Sequence, residues 1–328
     1  LSGRGRKPSR PAPRGEASSG SAAKGLLELD RFSEATLSRW NELSADLDEL
    51  QDILYFNVEP QRRRRRPELL RALQLIPPVP LELTNWVRVV DYRWTLHPLS
   101  AAGSLAGIGG RFNVGAQIDG RTFEPWPVLY LASDFATAYR EKFQIDAGQS
   151  VDGLSPEELA LSPGMSHSTV VLNGRLARVF LLNTENLQPV AGVLRKIKMP
   201  EAAERIKKKL KIRPGDLRML KTGRQLYDAV AVQNWRVLPV QFGLPSPSHV
   251  LAELIRAAGF EAIAYQSSKG GGMCVALFLD QMAVGSFIEL SGEPPAGAVA
   301  RLDANSAEVL SGWSQVGLNR PAGRVPEG

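Results

Sequence analysis

The proline cluster Pro77, Pro78 and Pro80 constrains this chain more than any other feature, because different periodicities lie on its two sides. Proline fixes φ and has no backbone N–H, so a helix running into the cluster must stop there. Before it, Leu37, Trp40, Leu43, Leu47, Leu50 and Leu54 recur at helical spacing behind Ser33, a candidate N-cap. The seam is narrow. It suits a helix packed on its own domain or, as a second reading, a coiled-coil or partner-binding helix. Leu69, Leu70, Leu73 and Ile76 predict one more short helix. After the cluster, β-branched and aromatic runs predict strands at Trp86–Val90, Val128–Ala132, Thr169–Leu172, Ala177–Leu182, Ala229–Val232, Ala262–Tyr265 and Cys274–Leu279. Helical patterns intervene at Phe135–Phe143, Glu201–Lys211 and His249–Ala258. Strands and helices mixed without strict alternation predict an α+β fold with a mixed sheet over residues 83–292. A helical extension at 25–82 precedes it, and a loosely packed tail at 293–328 follows.

Charge placement narrows the partners. Residues 1–24 hold six basic residues against one acid, so they carry +5 of the chain's +6 and leave a near-neutral body. Their Gly, Ser, Pro and Arg content predicts disorder. The segment Gly3-Arg4-Gly5-Arg6-Lys7-Pro8 is loosely similar to an AT-hook, with Lys7 where the hook has proline. Two further basic stretches stand out, Arg62–Arg66 and the six cations between Arg205 and Arg213. The first reads as a solvated linker face and the second as a surface insertion. Nucleic-acid binding through these segments is a third functional reading. A lone Cys274 excludes a disulfide framework and suits a reducing cytoplasm. No apolar run is long enough to span a bilayer, so no membrane association is expected. The N-terminus lacks the apolar region of a secretory signal, and its Leu1 reads as the start of a trimmed chain or fragment.

The chemistry is carried by polar residues at strand ends and turns. His97, His167 and His249 are far apart and Cys-x-x-Cys is absent, so no metal is expected. Gly-x-Ser-x-Gly is also absent, and in Lys269-Gly270-Gly271-Gly272 the lysine precedes the glycines, unlike a phosphate-binding Walker loop. What remains is Tyr92-Arg93, Gly109-Gly110-Arg111-Phe112-Asn113, Leu129 to Ala132, Ala138 to Glu141 and Tyr265-Gln266-Ser267. Two loop-held arginines suit an anionic ligand such as a diphosphate, and glycines beside Arg111 permit close backbone approach. A carboxylate on the helix after them suits stabilisation of developing positive charge or orientation of a nucleophile.

In that order the five pieces resemble the RES domain, named for its Arg, Glu and Ser. The resemblance covers residues 88–145 and 249–282, and leaves 116–127 and 146–248 as insertions. It implies a fold similar to ADP-ribosyltransferases and a pocket for NAD as substrate. The implied activity is that of a toxin of the toxin–antitoxin type, an NAD glycohydrolase or phosphorylase with water or inorganic phosphate as acceptor. The alternative is mono-ADP-ribosylation of a protein or nucleic acid, with the basic insertion as a platform. The implied catalytic residues are Arg93, Glu141 and Ser267. Tyr92, Arg111, Asn113, Tyr130 and Ser268 would contact the dinucleotide, Ser268 being the neighbour that competes with Ser267 for the family's serine. The implied partner is an antitoxin with a helix-turn-helix part.

Overall fold

The computed structural model describes residues 34–118, 123–145, 166–212, 217, 219–294 and 296–312, with backbone alone for 34–45, Arg93 and Gln241. The basic tail at 1–24 and the cap Ser33 lie outside the described residues. In chain order, α1 (Glu34–Arg64) and α2 (Arg66–Gln74) lead into β1 (Val79–Asp91). A small hairpin, β2 (Gly109–Gly110) and β3 (Asn113–Val114), precedes β4 (Val128–Ala132), α3 (Phe135–Phe143) and β5 (His167–Leu181). Then come α4 (Thr184–Leu194), α5 (Glu201–Lys209), α6 (Gly223–Tyr227), a π-helical turn (Asp228–Val232), α7 (Val237–Phe242) and α8 (Pro247–Ala257). The chain closes with β6 (Ala262–Gln266), β7 (Met273–Phe278), β8 (Phe287–Leu290), β9 (Arg301–Asp303) and α9 (Ala307–Ser311).

Seven strands form one sheet in the order β1-β4-β7-β6-β5-β8-β9, with β5 and β6 parallel and the other neighbours antiparallel. Strand β1 also pairs along its length with β5, so the ladder closes on itself. The fold is α+β with a mixed sheet, as the unalternating pattern predicted. Strands β6 and β7 read as unbroken apolar runs because both of their faces are buried. Ile263, Tyr265, Cys274, Ala276 and Phe278 enter one core with α2, α4, α6 and α8. Their neighbours Ala262, Ala264, Val275 and Leu277 enter a second core with Trp86, Trp94 and Leu310.

Three expected elements change. Thr169–Leu172 and Ala177–Leu182 belong to a single strand, β5. Gly174 broke the apolar pattern without breaking the strand; a Cβ there would lie 2.2 Å from the Phe287 carbonyl oxygen of β8. Ala229–Val232, expected as a strand, lies in the π-helical turn. A short apolar run does not distinguish a strand from a buried helical segment, and α6, capped by Thr222, feeds directly into this one. The strand expected at Trp86–Val90 runs from Val79, with Pro80 tolerated near its start and a register shift at Asn85, which takes a left-handed φ of 55°.

The basic segments also differ from expectation. Leu47, Leu50 and Leu54 are buried, and Leu50 and Leu54 pack on Ala203, Ile206 and Leu217, so the visible half of the α1 seam covers its own chain. In the arginine run, Arg62 and Arg63 pair with Glu59, Arg65 with Glu68 and Arg66 with Glu253. The run is the junction of two docked helices, not a solvated linker. Lys209 pairs with Asp46 of α1, and the buried Lys207 Nζ donates to the Leu217 carbonyl. These cations therefore serve packing within the chain. Among the described residues no helix is long and apolar enough to cross a membrane.

Candidate active site

A cavity of about 260 Å³ opens between β1, β4, α3 and the β2–β3 hairpin; Arg88, Arg111, Tyr130, Glu141, Arg236 and Tyr265 are on its wall. The hairpin is built by close approach. Gly109 has φ 86°, and a Cβ on Gly110 would lie 2.5 Å from the Tyr130 hydroxyl. That hydroxyl accepts from the Phe112 N–H at 2.9 Å and donates to Asn113 Oδ1 at 2.9 Å. Asn113 Oδ1 also accepts from the Gly110 N–H, and Nδ2 donates to the Ser104 carbonyl. Asn113 is fully buried and absent from the cavity wall. Its side-chain amide braces the loop. Burial raises the Tyr130 pKa, so its phenol remains a neutral donor.

Arg111 is held from the other side. Its Nη1 donates to the carbonyls of Val230 and Gln233, at 3.2 and 3.1 Å, at the end of the π-helical turn. His249, in the first turn of α8, receives the Ser246 N–H on Nδ1, which leaves the proton on Nε2 to donate to the Gly110 carbonyl at 2.8 Å. Burial holds its pKa down at about 4. The histidine absent from any metal set is thus a neutral strut beneath the Gly110–Arg111 turn.

Glu141 projects from α3, whose N-terminus is capped by Asp134. One carboxylate oxygen accepts from Ser267 Oγ at 2.6 Å. The same Ser267 oxygen accepts from the backbone N–H groups of Lys269 and Gly270 at 3.0 and 2.8 Å. The Ser267 hydroxyl thus donates to Glu141 while its oxygen accepts two backbone N–H groups. Ser268 is exposed, and of the two serines it is Ser267 that reaches Glu141. The glycine run after it is a packing device: a Cβ on Gly272 would lie 2.2 Å from Asp134 Oδ2, and the Gly272 N–H donates to Thr137 Oγ1.

The Tyr92-Arg93 pair lies in a one-turn helix directly after β1. Tyr92 is 70 % exposed and off the cavity wall. Arg93 lies beside it, and its side chain is outside the described atoms. The arginine that β1 turns to the cavity is Arg88, whose guanidinium donates to the carbonyls of Pro98, Ser100 and Tyr130 at 2.9 to 3.1 Å. Burial lowers its pKa to about 10. Sequence reasoning treated Arg88 as a strand residue; its place between Val87 and Val89 in an apolar strand was the available signal. Trp235 and Arg236, from the region expected to be an insertion, also line the cavity and were missed. Nothing local marks them, since their placement depends on the π-helical turn. Cys274 is buried below, where burial raises its pKa and keeps it a thiol. Among the described residues no group of His, Cys, Asp and Glu suits a metal ion.

No family model matches the sequence, and no curated protein matches it. Among solved structures, the M. tuberculosis MbcT–MbcA toxin–antitoxin complex is similar at 11 % identity and a TM-score of 0.38, over 74 % of this chain and 96 % of that one. A likeness of that size carries no functional weight, and the chemistry must be read from the cavity.

Proposed function

We propose that this chain is an NAD-consuming enzyme of the RES type, a toxin that breaks the nicotinamide–ribose bond and passes the ADP-ribosyl group to phosphate or water. The observation that carries the reading is the Glu141–Ser267 pair at 2.6 Å beside a cavity lined by Arg111 and Tyr130. Motif pieces more than a hundred residues apart in the sequence meet around one space.

The chemistry suits that arrangement. The C1′–N bond of NAD breaks with its electron pair going to the pyridinium nitrogen, so nicotinamide leaves neutral and needs no proton. Positive charge develops on the ribose, as in glycoside cleavage. A carboxylate fixed before the reaction stabilises that charge without reorganising. Glu141 has this role and Ser267 sets its orientation. The acceptor oxygen then bonds C1′, and water or dihydrogen phosphate releases its proton to solvent. Arg111 faces the diphosphate. Arg93 has that role only through the resemblance, and an antitoxin partner with a helix-turn-helix part belongs to the same reading.

Chromatography of NAD products with phosphate present and omitted tests it. ADP-ribose means water is the acceptor, and ADP-ribose-1″-phosphate means phosphate is. Label from NAD appearing on a protein or nucleic acid would instead favour mono-ADP-ribosylation. Within the basic segments, Arg62, Arg66, Lys207 and Lys209 are engaged within the chain.

A further inference from the structure

We propose that Arg236 and Arg111 together form the diphosphate subsite of this cavity, so that the middle segment, outside the RES-like motifs, supplies part of the substrate site. The ligand's identity rests on the NAD reading above; the subsite itself rests on how the two arginines are placed.

Arg111 is tied to the Val230 and Gln233 carbonyls, and Arg236 follows Gln233 by three residues. The bonds that fix Arg111 therefore also fix where the Trp235–Arg236 corner meets the hairpin. The corner is braced again from behind: Trp235 is buried, its ring 5.4 Å from that of His249. Arg236 lies over the Trp235 ring at 5.2 Å, a cation–π contact that limits where the guanidinium can swing. Among the described residues its side chain has no hydrogen-bond acceptor or ion-pair partner, and only its backbone N–H is used, on Asn234 Oδ1.

Charge points to the occupant. Half-burial and the like charge of Arg111 both make the Arg236 cation less favourable, while Glu141 offsets part of this. Two guanidinium groups on the wall of one open cavity repel each other, and an anion between them relieves this beyond what Glu141 offsets. A diphosphate offers each of them a charged, multidentate acceptor. In NAD the diphosphate is joined to C5′ of the ribose whose C1′ carries nicotinamide. A cation within the field of Glu141 is thus placed for the diphosphate when Glu141 faces C1′.

Calorimetric titration of the full chain with ADP-ribose tests the subsite without turnover. Arg236→Gln is expected to weaken ADP-ribose at least about tenfold, the loss of a charge-assisted contact. Arg236→Lys should recover part of the loss. With NAD as substrate, Arg236→Gln should raise KM by a similar factor and leave kcat within about threefold. Equal ADP-ribose affinity in wild type and Arg236→Gln overturns the proposal, and so does no binding to wild type. Binding that depends on Arg236 without nicotinamide release would keep the subsite and reject the cleavage reading.

Discussion

Two sets of side chains around the cavity differ in how their polar atoms are used. Around the hairpin, Arg88 and Tyr130 on the wall and Asn113 and His249 behind it direct their side chains to backbone groups or to one another. At Glu141 and Arg236 the capacity is less used: Ser267 is the one hydrogen-bond partner of the Glu141 carboxylate among the described residues, and the Arg236 guanidinium has only an aromatic face. A buried polar group must be satisfied or it destabilises the fold, so the first set is scaffold. Groups with unused capacity at the edge of a cavity are available to a ligand. Arg111 belongs to both sets, tied at one nitrogen and facing the cavity.

The comparison fails if the two sets respond alike to substitution. The largest effect should come from Glu141→Gln: a fall of roughly 10²–10³ in nicotinamide release, the scale of removing one preorganised electrostatic stabiliser, with the denaturation midpoint unchanged. A variant that is equally inactive because it is unfolded would place Glu141 in the scaffold set.

The next effect is a pH dependence in that scaffold set. The His249 pKa is about 4 in the folded chain and near 6.5 when exposed. Stability from its neutral form is therefore complete above about pH 6.5 and is lost as pH falls toward 4, a span of roughly 3 kcal/mol. Denaturation between pH 7 and 4 should show a shallower decline for His249→Gln than for wild type. Parallel declines would remove His249 as the strut.

Asn113→Ala should cost about 1–3 kcal/mol in denaturation, because the Gly110 N–H and the Tyr130 hydroxyl lose their buried acceptor. Its remaining activity should follow the folded fraction. A stable but inactive variant would instead make Asn113 a ligand contact. Ser267→Ala should lower kcat about tenfold by releasing the Glu141 carboxylate, while KM for NAD stays close to wild type. An unchanged kcat would show that Glu141 needs no orienting hydroxyl.

Much of the fold was legible because both of its signals are local. Apolar runs rich in β-branched and aromatic residues marked β4, β6 and β7, and the proline cluster placed the end of α2. The π-helical turn was not legible: a buried apolar run is ambiguous until its neighbours are placed. In the site, Arg111, Tyr130, Glu141 and Ser267 were recognisable from motif order. Asn113 was recognisable as a residue but not as a brace, because only the geometry shows its side-chain amide bonded to Gly110, Ser104 and Tyr130. Arg88 was hidden inside a strand pattern, and Tyr92 was drawn in by its arginine neighbour although it faces solvent. Arg236 could not be found from local pattern, since the Arg111 contacts to Val230 and Gln233 that locate it span more than a hundred residues.

The central claim is that this cavity cleaves NAD at the nicotinamide–ribose bond. The direct measurement is the time course of nicotinamide release from NAD by the purified full chain, with and without phosphate. The account predicts stoichiometric loss of NAD and appearance of nicotinamide, with an ADP-ribosyl product whose acceptor follows the buffer. NAD left intact under both conditions would contradict it.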